Sequence, residues 1–227
     1  MNLSPPGTRQ TALPVIAASF CCSVKLAEVI ADRAELRRYA PRDKLVEAGD
    51  AVQSAWLMID GRAQEFALTV DGRTVLVHEF KPGDLFGEAV LLGQPVLADE
   101  VIAIELTDAA RFATRDLIAL IENYSCVALA YSRALTQRLY TIRRRMVEGA
   151  TLSANGRIHA ELLRQARATK DLTIRPAPVL SEFAMVVQTT RETVSRAISQ
   201  LEKRGIIIRD AVAIKLVAAH RLEDLIR

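Results

Sequence analysis

Cysteine is scarce: the 227-residue chain has three, the adjacent pair Cys21-Cys22 and the distant Cys126. Three cysteines make no disulfide framework, match no zinc-ligand spacing and cannot supply the four thiolates of an iron–sulfur cluster. Histidine is as rare. His78, His159 and His220 lie far apart, which sets up neither a pair of haem ligands nor the His/carboxylate triad that a small metal oxygenase needs. Long apolar runs are also missing. The longest, "ALPVIAASFCC" at residues 12–22, falls well short of the roughly 20 residues that span a bilayer. It follows no charged leader of the secretory kind, so the chain reads as cytoplasmic, with no membrane contact and no cofactor.

What is present is ordinary in amount and uneven in placement. Half the residues are hydrophobic, a quarter are charged and the formal net charge is only +3. Residues 1–150 hold 17 Lys+Arg against 19 Asp+Glu, whereas residues 151–227 hold 13 against 8. The first part is therefore slightly acidic and the last part basic, as expected when one module meets a polyanion and the other does not.

The pattern of apolar residues changes along the chain. After turn residues Pro5, Pro6 and Gly7, residues 24–38 read as a short amphipathic helix. From about Tyr39 to Phe112 short apolar runs such as "AWLMI", "AQEFALTV" and "RTVLVHEF" follow one another. Asp60-Gly61 and Asp71-Gly72 fall between these runs, and Asp-Gly is a strong hairpin signal because two-residue turns need positive φ. The spacing predicts a small antiparallel barrel or roll. From Ala113 to Glu148 there is no Gly and no Pro, and Leu117, Ile121, Tyr124, Ala128, Tyr131, Leu135, Leu139, Ile142 and Met146 recur at steps of three and four. That predicts one helix about 50 Å long, more than a small roll buries, with a seam for the same helix of a second copy.

The basic part carries the clearest motif. "SANGRIHAELLRQA" reads as a capped helix, Pro176 and Pro178 interrupt the chain, and "VLSEFAMVV" and "RETVSRAISQLEKRG" form two helices joined by a few residues around Gln188 to Thr190. This is helix-turn-helix spacing. Gly205 ends the second helix, and "IIIRD" and "AIKLV" flank a tight turn like a two-stranded wing that carries Lys215. In the second helix Val194, Ala197, Ile198 and Leu201 form the buried stripe, while Arg191, Glu192, Ser195 and Arg196 share another face near its start. Arginine pairs bidentately with guanine O6 and N7, and glutamate accepts from cytosine N4, so the face suits G/C readout. A second reading of Thr189-x-x-Glu192 is a capping box, with Glu192 folded back on the helix's own amides.

The roll with "FKPGDLFGE", the long helix and the terminal "TRETVSRAISQLEKRGII" together resemble the CRP/FNR superfamily of bacterial transcription regulators, over nearly the whole chain. The resemblance implies an α+β architecture: an N-terminal antiparallel β-roll like a cyclic-nucleotide-binding domain over 1–115, a dimerisation helix over 116–149 and a winged helix-turn-helix over 150–227. It implies a homodimer on double-stranded DNA, acting on RNA polymerase. Thr189, Thr190, Arg191, Glu192, Ser195, Arg196 and Lys215 take the DNA-facing positions, with Arg191, Glu192 and Arg196 reading bases. The chain departs from the family at Gln188, where the turn often has Gly, and a local backbone adjustment is expected there.

A second departure concerns the switch. Members that bind cyclic AMP have a phosphate cassette in which an Arg and a hydroxyl hold the phosphate; here Phe86, Gly87 and Glu88 match, but Leu97 and Ala98 stand at the Arg and hydroxyl positions. The adenine-contacting hydroxyls of the long helix become Ile142 and Arg143. A phosphate buried without its cation carries a large desolvation cost, so Glu88 is expected to survive as a structural carboxylate on local amides. Four readings follow: a regulator independent of cyclic AMP; one gated by another anionic effector at the roll or at the Arg143 to Arg145 cluster with Arg138; and, in other classes, a cupin-like enzyme fused to a DNA-binding module or a pure interaction protein.

Overall fold

The computed structural model describes residues 8–68, 74–92 and 99–226. These divide into two compact units, residues 1–139 and 140–227. The first opens with two helices, α1 (Thr8–Ser19) and α2 (Val24–Ala31), where Ser23 caps α2 by accepting from the Leu26 amide. The amphipathic stretch at 24–38 is thus helical only in its first half. Its second half, "AELRRY", is strand β1 (Ala34–Tyr39).

The roll continues through β2 (Lys44–Val46), β3 (Ser54–Asp60), β4 (Ala63–Leu68), β5 (Thr74–Phe80), β6 (Leu85–Phe86), a 3₁₀ turn (Glu88–Leu92), β7 (Glu100–Ala103) and β8 (Thr107–Ala113). Two antiparallel sheets result, ordered β1-β8-β3-β6 and β2-β7-β4-β5. β3 explains the run "AWLMI". Trp56 and Met58 pack into the core with Phe80, Phe86 and Val101, while Ala55, Leu57 and Ile59 on its other face meet Ile16, Phe20 and Ile30 of the helical layer. A strand covered on both faces reads as continuous apolar sequence rather than alternation.

The Asp60-Gly61 signal resolves differently from expectation. β3 and β4 belong to different sheets, so this dipeptide is a corner between sheets and not a hairpin turn. Gly61 has φ +78°, and a Cβ there would stand 2.3 Å from the Leu106 carbonyl oxygen; backbone approach, as much as turn geometry, requires glycine. Asp71-Gly72 lies outside the described residues, but the strands on either side of it, β4 and β5, do pair antiparallel, with Leu68 opposite Thr74.

The expected single helix is two. α3 (Thr114–Asn123) ends at Tyr124, whose φ of −132° and ψ of 103° are extended, and α4 (Ser125–Thr151) starts at once. The break turns both segments onto the roll: Leu117, Leu120, Val127, Ala130 and Tyr131 are buried in one core, with Ile121 and Tyr124 packed against it. Leu117 and Tyr131 therefore face their own domain. Leu135, Leu139, Ile142 and Met146 remain exposed, at 40, 68, 50 and 77%.

The second unit holds α5 (Ala154–Arg167), β9 (Thr173–Ile174), α6 (Leu180–Val186), α7 (Arg191–Lys203), β10 (Ile207–Arg209), β11 (Ile214–Leu216) and α8 (Ala219–Glu223). Ile158 and Leu162 of α5, Phe183 of α6, and Val194, Ile198 and Leu201 of α7 share one core with Ile207, Ile214 and Leu216 of the wing. The wing gains a third strand that the sequence did not announce, giving the order β10-β11-β9. Among the described residues no single helix is long and apolar enough to cross a membrane.

Candidate nucleic-acid interface and roll cavity

α7 is oriented by its apolar stripe. Val194, Ala197, Ile198 and Leu201 are at most 3% exposed, which leaves Arg191, Glu192 and Arg196 exposed and Ser195 half-buried. The helix begins one residue later than the capping-box reading needs. Thr190, not Thr189, is the N-cap, and its hydroxyl accepts from the Thr193 amide at 3.2 Å. Glu192 accordingly does not cap; it pairs with Arg196 one turn on, at 3.2 Å. Both are well exposed, so this pair adds little stability, and both side chains stay available to an incoming ligand. Lys215 is exposed on β11, opposite Ile208 of β10. The wing turn is pinned by Asp210, whose carboxylate accepts from the Val212 and Ala213 amides at 2.7 Å each; these two bonds hold its pKa below the usual carboxylate range.

In the turn before α7, Gln188 adopts the left-handed conformation at φ +52°, which is strained for a residue with a Cβ. What holds it is Arg157 on α5. Its guanidinium donates to the carbonyls of Val187 at 2.9 Å, Gln188 at 3.0 Å and Leu152 at 3.1 Å. One side chain thereby satisfies the end of α6, the turn and the segment after α4. Sequence reasoning passed over Arg157, because an arginine on an amphipathic helix carries no local mark of its partners. His159, on the same helix, is buried with Nδ1 3.3 Å from the Leu225 carbonyl oxygen; burial lowers its pKa.

Of the expected arginine knot, Arg144 and Arg145 line one pocket with Glu148, Arg157 and Glu161. Arg138 donates to Glu88 and to the Leu85 carbonyl and lies over the Phe80 ring at 5.2 Å. Arg144 faces Glu148 at 3.6 Å, and Arg143 is exposed. Glu88 thus binds an arginine from α4 rather than local amides.

Phe86, Gly87 and Glu88 do meet at a cavity of about 170 Å³, which is also lined by Val46, Val52, Trp56, Glu65, Ala89, Asp99 and Val101. A Cβ on Gly87, φ +80°, would stand 2.5 Å from the Ser54 carbonyl oxygen. The Phe86 ring stacks on Trp56 and on Phe80, with centroids 5.2 and 4.4 Å apart. Burial pushes the Glu65 carboxyl up to about 7, with Arg138 opposing and Glu88 and Asp99 adding to the rise. Tyr131 is also pushed up, first by burial and then by Glu88. Ile142 and Arg143 do not line this cavity, and Leu97 and Ala98 lie outside the described residues. Glu65, Asp99 and Trp56 were missed in the sequence, where nothing distinguishes an inward carboxylate on a strand from an outward one. Cys21, Cys22 and Cys126 are free thiols.

Two family models match this chain: the cyclic nucleotide-binding domain over residues 36–124 and the Crp-like helix-turn-helix domain over residues 156–225. A cyclic AMP receptor protein of Thermus thermophilus is 28% identical over 197 residues, 83% of this chain and 87% of the relative. A cAMP-activated global transcriptional regulator of Pasteurella multocida is 25% identical over 177 residues, covering 76% of this chain and 85% of its own length. The structure of FixK2 from Bradyrhizobium japonicum superposes with a TM-score of 0.70 at 23% identity, over 85% of this chain and 96% of that one, which establishes the shared fold.

Proposed function

Since the chain belongs to the CRP/FNR superfamily of DNA-binding transcription regulators, we propose that it binds a pseudo-palindromic DNA site as a homodimer and does so without cyclic AMP. The observation that carries the reading is the face of α7: Arg191, Glu192 and Arg196 stand exposed at the start of a helix whose opposite stripe is fully buried. Such a helix presents its N-terminal side chains to the major groove. Thr189, Thr190 and Ser195 flank the base-reading residues, and Lys215 meets a phosphate. The dimer seam consists of Leu135, Leu139, Ile142 and Met146. An exposed apolar stripe of this kind on a helix is what a second copy covers.

Independence from cyclic AMP rests on charge. No Lys, Arg or His lines the roll cavity among the described residues, and residues 93–98, Gly-Gln-Pro-Val-Leu-Ala, contribute no cation by sequence. Arg138, the nearby guanidinium, is engaged by Glu88. The protein works in the cytoplasm, where it acts on RNA polymerase. Selection of binding sites from a random DNA pool, with and without cyclic AMP, tests the whole reading. The expected result is an inverted repeat with half-sites one helical turn apart, about 10 bp centre to centre, unchanged by the nucleotide. Recovery of a single half-site, or of any motif only when cyclic AMP is present, would overturn it.

A further inference from the structure

Tyr131 is the last fully buried residue of α4. From Ser132 to Leu139 every residue is exposed except Ala134 and Arg138, and Ala134 offers the core a single methyl group. Arg138 offers a long side chain and a charge. Its side chain is only 16% exposed. It donates to the Glu88 carboxylate and to the Leu85 carbonyl at 3.5 Å, and its guanidinium lies 5.2 Å from the centroid of the Phe80 ring. Two further carboxylates are neighbours: burial pushes the carboxyls of Glu65 and Asp84 up, and Arg138 opposes the rise at both. The roll thus gathers negative charge in one place, and α4 brings a cation to it.

We propose that Arg138 is a positioning residue for the dimer: its insertion into the roll fixes the stretch of α4 that carries Leu135 and Leu139, and so sets how tightly two copies associate. The inference rests on the reading of those leucines as part of the seam. Leu135 precedes Arg138 by three residues and Leu139 follows it by one, so the anchor sits within one helical turn of both. A short helical stretch solvated on nearly every face is marginal in water without tertiary packing. Lacking the anchor, each copy has to order this stretch on association, and that cost is subtracted from the affinity. The roll depends on the cation as well. Glu88 stripped of Arg138 is a half-buried carboxylate without its partner, a costly arrangement. Arginine suits the position better than lysine, because its planar fork bonds carboxylate and carbonyl together while its face lies over a ring.

Sedimentation of full-length protein measures the dimer dissociation constant, and circular dichroism checks that each variant is folded. Arg138→Ala should raise the constant about tenfold or more, the equivalent of ordering one or two side chains in each copy. Glu88→Gln keeps the shape and an acceptor and should raise it by less. Both changes together should do no more than Arg138→Ala alone, since the two residues act as one unit. Truncation to Ala removes the equivalent of one ethylguanidinium, so millimolar ethylguanidinium should tighten the Arg138→Ala dimer saturably and leave wild type unchanged. Ethylurea, of the same shape without the charge, should do neither. A folded Arg138→Ala variant that dimerises as tightly as wild type would overturn the proposal, as would rescue by ethylurea equal to that by ethylguanidinium. If Arg138→Ala does not fold, Glu88→Gln decides, and an unchanged constant there refutes the role. Leu135→Asp with Leu139→Asp is measured beside them. Should this variant stay dimeric, the seam is refuted and the inference with it; should it be monomeric while Arg138→Ala dimerises like wild type, the inference alone is refuted.

Discussion

Single side chains make the sharpest forecasts. Replacement of Arg191 or Arg196 with Ala should lower affinity for the selected site by about 1–3 kcal/mol per half-site and relax base preference at one defined position. Lys215→Ala should weaken binding to all sequences alike and reduce the slope of affinity against salt, because a phosphate contact carries no sequence information. Competition titrations on consensus, single-mismatch and unrelated duplexes separate the two behaviours. Glu65 makes a forecast about pH. Its carboxyl titrates near 7 in the folded protein against an ordinary value of 4.5, so the native state holds the proton more tightly than the unfolded chain. Arg138, Glu88 and Asp99 act on it, and His78 is its cross-strand neighbour. The penalty is absent below the unfolded value and complete above the folded one: stability should fall as pH rises from about 4.5 to 8. Glu65→Gln removes that loss and should exceed wild type by up to about 3 kcal/mol at pH 8, with no gain at pH 4.5. Urea unfolding of both proteins at the two pH values checks this.

Among the elements, α4 carries the forecast of assembly. Leu135 and Leu139 are large, apolar and exposed, so Leu135→Asp with Leu139→Asp should yield monomers by sedimentation without loss of the roll. A dimer of unchanged stability would remove these two from the seam. The elements also show how far the sequence could be read. The α7 stripe and the wing strands were legible because burial on one face leaves a period in the sequence, and the runs that became β3, β4 and β5 because turn residues separate short apolar stretches. The break at Tyr124 was not, since no Gly or Pro marks it and the residues on both sides keep helical spacing; only the demand that Leu117 and Tyr131 reach one core bends the chain. Asp60-Gly61 marked a turn correctly but could not say which strands it joins. Thr189 and Thr190 are equally good caps locally, and the choice between them is made by where Val194 must point. In the cavity, the motif residues Phe86, Gly87 and Glu88 were legible, whereas Glu65 and Arg138 come together from a strand and a helix more than 70 positions apart in sequence.

On the scale of the whole molecule, the roll and the helix-turn-helix belong to separate units with separate cores. The forecast that belongs here is negative. Cyclic AMP should leave both the thermal midpoint and the affinity for DNA unchanged, since a ligand shifts stability only by its preference for the folded state. Saturable binding at micromolar concentration by calorimetry would contradict this.

The three carbonyl bonds of Arg157 have a thermodynamic consequence. They fix the strained turn at Gln188 before any DNA arrives, so the conformational entropy of ordering the start of α7 is settled on folding, not on association. DNA binding should then show a heat-capacity change set by the buried interface alone, without the larger signature of coupled folding. Lysine keeps the charge but offers no planar fork. In Arg157→Lys part of that ordering is deferred to the encounter with DNA, and calorimetry across a range of temperatures should show a more negative heat-capacity change and a less favourable entropy.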